Sequence, residues 1–333
     1  MTPRAFLRTL TGSAVVALLA CTSSGPATSL TSTGRQAASP AASGLGADDA
    51  GRAATVQFRF TDTRINESSG LVARNGVFVT VNDSGDVGRI FTVDGTGKTV
   101  GVTNWKPKPR DTEAVAPSMT SGYIWVGDIG DNASTRSKIA LIRVPSRTGT
   151  ATVTPERYLA AYPNGPHNAE TLLVQPGNEA LYIVTKQTTG AALYSVPPLR
   201  SGVVNKLVKV AQVKGLITDG AFTPDGQHVL LRSYGRVYVY GFPSMQLLGS
   251  AQLPSQPQGE GLAIATDNTI YLSTEGANTP VLRYTLPPAL DALLRSPARM
   301  DAGSATAAGL LRSLGLSGAA DAVAAGASSM TTR

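Results

Sequence analysis

A short pattern recurs five times in the middle of this chain: "NESSGLVAR" from Asn66, "DTEAVAPS" from Asp111, "NAETLLVQP" from Asn168, "TDGAFTPDG" from Thr218 and "GEGLAIATD" from Gly259. Each carries an acidic residue, a few apolar positions and then turn-forming residues. With Glu67, Glu113, Glu170, Asp219 and Glu260 taken as the acidic openers, the intervals are 46, 57, 49 and 41 residues. A repeat of that length has to stack against its neighbours, because one unit alone cannot bury its apolar face.

The units also continue alike. A second strand follows ("GVFVTVND", "GYIWVGDIG", "ALYIVTK", "HVLLRSYG", "TIYLSTEG") and then a third ("RIFTVD", "IALIRV", "ALYSV", "RVYVYGF", "VLRYTL"). Fourth strands fit "TVGVTNW", "ERYLAAY", "LVKVAQV" and "QLLGSAQL", but the fifth unit has none. The segment "TVQFRFTD" at Thr55 belongs to no unit and can supply the missing strand, closing a ring without a long free edge. Residues 53–290 are therefore expected to form an all-β fold, a single β-propeller of five four-stranded blades closed by the N-terminal strand. Six blades are the alternative, with a degenerate blade hidden between Glu113 and Glu170.

Ahead of this body, Arg4 and Arg8 precede a short apolar run that ends in Leu18, Leu19, Ala20 and Cys21, the only cysteine of 333 residues. The run is too short to span a bilayer, and its end resembles the lipobox of bacterial lipoproteins. That resemblance implies cleavage of residues 1–20 and lipidation of Cys21, anchoring the protein to the cell membrane on its extracytoplasmic face. Residues 21–52, rich in Ser, Thr and Ala, are expected to act as a flexible tether. Residues 291–333, rich in Ala and Gly, read as a largely disordered tail. With Cys21 committed to lipid, no cysteine is left for a disulfide, a zinc–thiolate site or a nucleophile.

Through "FTPDG" at Phe222–Gly226 and the repeated strand texture, the body resembles bacterial propellers of the WD40-like, PD40 type. Through "GEGLAIA" it is similar, more weakly, to lactonase and phytase-like esterase propellers. These likenesses imply architecture and carry no activity with them.

The formal net charge of +7 falls to +5 (7 − 2) without Arg4 and Arg8, and no basic cluster is present, so nucleic acid is not an expected partner. No G-x-S-x-G elbow, P-loop or dinucleotide fingerprint occurs. In a propeller the first strand of each blade is innermost, so Glu67, Glu113, Glu170, Asp219 and Glu260 should gather at one channel mouth. Crowded carboxylates raise one another's pKa or recruit a cation. Their oxygens suit Ca²⁺, which makes the five candidate ligands of a Ca²⁺ ion. The competing reading is structural, each carboxylate accepting backbone N–H bonds from the neighbouring blade. Aligned second-strand ends give Asp83, Asp128, Lys186, Tyr234 and Glu275 as a candidate ligand pocket, although "DSGD" and "DIGDN" are also simple Asx-type turns. His167, three residues before Glu170, is with it the candidate catalytic pair. Two function classes follow: a lipid-anchored, monomeric binding module for an envelope protein, polymer or small ligand, or a metal-dependent hydrolase of lactones, phosphoesters or glycosides using the channel carboxylates.

Overall fold

The computed structural model describes residues 54–83 and 85–294; the predicted signal, Cys21, its tether, Ser84 and the tail from residue 295 lie outside the described residues. Five sheets, each built on an antiparallel four-stranded core, form the five blades. Blade 1 holds β2 (Ser68–Arg74), β3 (Val77–Asn82), β4 (Gly88–Asp94) and β5 (Thr99–Trp105). Blade 2 holds β6 (Thr112–Pro117), β7 (Tyr123–Asp128), β8 (Ile139–Pro145) and β10 (Glu156–Ala161), and blade 3 β11 (Ala169–Val174), β12 (Leu181–Thr185), β13 (Ala192–Ser195) and β15 (Val208–Gln212). Blade 4 is β16 (Asp219–Phe222), β17 (His228–Arg232), β18 (Arg236–Gly241) and β19 (Gln246–Gln252). Blade 5 has three strands of its own, β20 (Gly259–Ile264), β21 (Ile270–Thr274) and β22 (Pro280–Tyr284).

Its fourth strand is β1 (Ala54–Arg59), which pairs antiparallel with β22 from Ala54 opposite Tyr284 to Arg59 opposite Pro280. The ring is thus closed by the N-terminal strand, as the unassigned segment at Thr55 required. The innermost strands β2, β6, β11, β16 and β20 each touch the next, and β20 touches β2.

The long interval after Glu113 does not hide a sixth blade. It holds β9 (Gly149–Val153), which returns to blade 1 and pairs parallel with β5. Gly101 on β5 makes room for this return, since a Cβ there would overlap the Arg147 carbonyl. In the same way β14 (Val204–Lys206) adds a parallel strand to β10, so two blades have five strands rather than four.

Each blade buries both faces, which is why its strands read as apolar runs. Five apolar clusters fill the five interfaces, and alternate residues of one strand serve different clusters. Leu71 and Ala73 face blade 5 with Phe58, Phe60 and Val281, whereas Val72 between them faces blade 2 with Val115 and Val126. The C-terminal side departs slightly from expectation: helix α1 (Pro288–Leu294) continues the body, packing along β19 with Leu290 buried against blades 4 and 5. No helix among the described residues is long and apolar enough to cross a membrane.

Because β1 and the residue that follows it fill the last interface, their buried aromatics should matter far more than the outer face of the strand. Phe60, fully buried, changed to Ala is expected to lower unfolding free energy by about 3–5 kcal/mol in a denaturant titration. Val56→Ala, on β1 at 56% exposure, should stay within about 0.5 kcal/mol of the parent.

Candidate functional site

The acidic mouth is built by β-bulges. In β2, β6, β11 and β20 the ladder shifts register just after the strand begins, releasing Ser69, Glu113, Glu170 and Glu260–Gly261 from regular pairing. A bulge turns the released side chain away from the sheet's regular faces. This register corrects the sequence alignment in blade 1: the partner of Glu113, Glu170 and Glu260 is Ser69, and Glu67 lies two residues earlier, half-buried at the strand's approach. Ser69 Oγ donates to the Glu113 carbonyl at 3.0 Å and to Glu113 Oε2 at 3.1 Å.

Blade 4 has no such bulge, and Asp219 behaves differently. It is fully buried, and its Oδ2 accepts the Leu262 N–H of blade 5 at 2.7 Å. Burial raises its pKa against the pull of that N–H and the Gly220 N–H. Here the carboxylate joins one blade to the next.

Glu113, Glu170 and Glu260 are each at most 5% exposed, and across three blades they feel one another's charge. Burial first, then Glu170, Asp83 and Asp111, push the Glu113 carboxyl up to about 10. Burial and then Glu260 lift Glu170 to about 8, with Lys186 opposing. Burial likewise raises Glu260, against the pull of Lys186 and Arg232. Among the described residues, Glu170 Oε2 and Glu260 Oε2 are buried without a hydrogen-bond partner.

Of the five aligned second-strand residues, four gather here. Lys186 Nζ donates to Glu170 Oε1 at 2.5 Å and to Tyr234 Oη at 2.8 Å. Burial works against the Lys186 charge, but Glu170 and these bonds outweigh it and raise its pKa. Glu275 is carried to about 7 by burial and by Glu260, Asp83 and Glu67. Asp83 lies within the same field.

Asp128 is the exception, standing one residue earlier in the strand register than Asp83, Lys186 and Glu275. It is the structural counterpart of Asn82: Asp128 Oδ1 accepts the N–H groups of Arg110 and Asp111, as Asn82 Oδ1 accepts those of Asn66 and Glu67. Arg136 Nη2 also donates to Asp128 at 2.8 Å in a buried ion pair. In the same loop Asp131 accepts the Thr135 and Arg136 N–H groups, four and five residues on, so the carboxylate ties down the loop that follows it by longer bonds than the Asx-type turn read from "DIGDN" would use.

Sequence reasoning passed over three members. Asp111 lies two residues before Glu113, and one oxygen from each of Asp83, Asp111 and Glu113 falls within 4.8 Å of the others. Gly130 makes that convergence possible, since a Cβ there would overlap Glu113 Oε1 and Asp111 Oδ2. Arg232 ends β17 fully buried, donating Nη1 to the carbonyls of Gly261 and Ser273. Burial lowers its pKa to about 10, against Glu260 and Asp219. Its signal was a lone positive charge where the sister strands end in Asn82, Asp128, Thr185 and Thr274.

His167 is placed elsewhere. The Gln187 amide lies 3.2 Å from its Nδ1, Tyr194 Oη lies 3.3 Å from Nε2, and the Tyr162 ring stands edge-on at 5.0 Å. Burial and Lys209 lower its pKa, and no mouth carboxylate is among its perturbing charges. Trp105 and Trp125 are buried in blade interfaces.

The fold defines the chain as a five-bladed β-propeller with a carboxylate-rich channel mouth. No protein-family model matches the sequence, and no curated protein matches it.

Raised carboxyl pKa values fix how stability varies with pH. A carboxyl whose folded pKa exceeds its unfolded value stabilises fully below the unfolded value and loses that contribution as pH rises through the folded one. Without divalent cations, the unfolding free energy should therefore fall as pH rises above 5, by at most about 1.4 kcal/mol per pH unit for each carboxyl still held protonated, and less steeply above pH 8, where Glu275 and Glu170 have ionised. Glu113→Gln should flatten the slope; an unchanged slope would mean that Glu113 ionises freely in the folded protein.

Proposed function

We propose that this propeller is a lipid-anchored, extracytoplasmic binding module whose acidic mouth holds a Ca²⁺ ion. The observation that carries the cation is the convergence of Asp83, Asp111 and Glu113 oxygens within 4.8 Å over Gly130. Bringing three carboxylates together in a part-buried site is unfavourable unless protons or a cation join them. Lys186 and Arg232 supply cations to blades 3 and 4, whereas at the convergence on blades 1 and 2, where burial raises the Asp111 pKa, the opposing Arg136 is already ion-paired with Asp128. Several oxygens at adjustable separation suit Ca²⁺ better than the smaller, strictly octahedral Mg²⁺.

The ligand set proposed is therefore Asp83, Asp111 and Glu113, with Asp219 kept for blade packing. The orphan oxygens of Glu170 and Glu260 and the 37% exposed ring of Tyr234 leave the mouth able to receive a polar partner above the ion. Hydrolysis draws less support. Lys186 is held by Glu170 and Tyr234, and His167 is engaged with Gln187 and Tyr194. The envelope location rests on the lipobox-like end at Cys21.

A thermal melt of chelator-treated protein tests the ion. Calcium at about a hundredfold over Kd should add about 2.7 kcal/mol, with Mg²⁺ well behind. Asp111→Asn and Glu113→Gln should each remove the calcium response; a response of equal size in both variants would defeat the site. For the anchor, Cys21→Ser should move the protein from the membrane fraction to the soluble one, and unaltered fractionation would defeat it.

A further inference from the structure

The other end of the channel has the opposite character. A cavity of about 180 Å³ is enclosed by the C-terminal halves of the five innermost strands, among them Leu71, Val115, Leu172, Phe222 and Ile264. Of all its lining side chains only Arg74 is charged, and only Thr266 is otherwise polar. Arg74, at the end of β2, is pinned by an Nη1 bond to the Ser118 carbonyl at 2.7 Å, and among the described residues it has no carboxylate within ion-pair distance. Ser118's hydroxyl instead serves Glu179, which also accepts the Trp125 N–H at 2.9 Å. One arginine, its guanidinium keeping donors to spare, thus lines an otherwise largely apolar hollow.

We propose that this end of the channel binds small monocarboxylates with an apolar body, the carboxylate paired with Arg74 and the body seated among the strand ends. Charge complementarity selects the head: a single fixed cation calls for one anionic group, and a planar fork favours a carboxylate. Size selects the body, because a cavity of about 150 Å³ with apolar walls accepts a benzene ring. The site is separate from the acidic mouth, lying at the far ends of the same strands, and does not depend on the calcium reading.

Isothermal titration of the protein with benzoate, benzyl alcohol and benzylamine tests it. These probes share a ring and differ in the charge of the head. Benzoate should bind about tenfold more tightly than benzyl alcohol, with benzylamine weakest. Arg74→Met should reduce benzoate to the level of the alcohol, while Arg74→Lys keeps much of the preference. Thr266→Trp, at an exposed position on the rim, should exclude both without disturbing the blades. Equal binding of the three probes, a benzoate preference that survives Arg74→Met, or no saturable binding of benzoate would each overturn the proposal.

Discussion

Everything in this molecule depends on the pairing of β1 with β22. Each blade is apolar on both faces, so no blade can be left at the end of a row; an open interface would expose two apolar sheets at once. Closing the ring with a strand from the opposite end of the chain resolves this, because β1 contributes Phe58, and the residue just after it Phe60, to the interface that sequence order alone would leave unsealed. The level of every inner strand, and with it the geometry of both channel ends, is set by that closure.

Much of this was legible in the sequence because the physical causes are periodic. Alternate residues of β2 or β11 serve different interfaces, so the strands appear as apolar runs, and the turns between them appear at regular intervals. The added strands were invisible for the converse reason. β9 is mostly exposed and β14 spans only Val204–Lys206, so neither carries an apolar signal, and both are held by parallel pairing to a strand distant in sequence. The alignment of Glu67 failed at a bulge. An extra residue within the ladder leaves letter patterns intact while shifting which residue turns inward, and in blade 1 that residue is Ser69 rather than an acid.

The same bulge separates the two roles that sequence left undivided. Where it occurs, at Glu113, Glu170 and Glu260, the carboxylate is released toward its counterparts on other blades and acquires a raised pKa. Where it is missing, Asp219 stays in step with Arg232 and accepts the Leu262 N–H of the neighbouring blade. Buried acids in one repeated position thus serve packing or the mouth according to local backbone register, which no residue identity encodes. Arg232 mediates between the two, lending positive charge to Asp219 and Glu260 while spending its hydrogen bonds on backbone carbonyls and the Gln256 side-chain oxygen.

The contrast between the channel's ends follows from this arrangement. All five inner strands run the same way along the axis, so a given position in the repeat arrives at one level in every blade. A gradient within a single unit, from a polar or acidic opener through Ala, Val and Leu to a turn, becomes a gradient along the whole channel. The acids then share one end, where Lys186, Arg232 and solvent can offset them. The other end is left with apolar side chains and Arg74. Moving an acid a few residues along any inner strand would place a charge in the apolar end, far from those cations, where its desolvation would have no compensation.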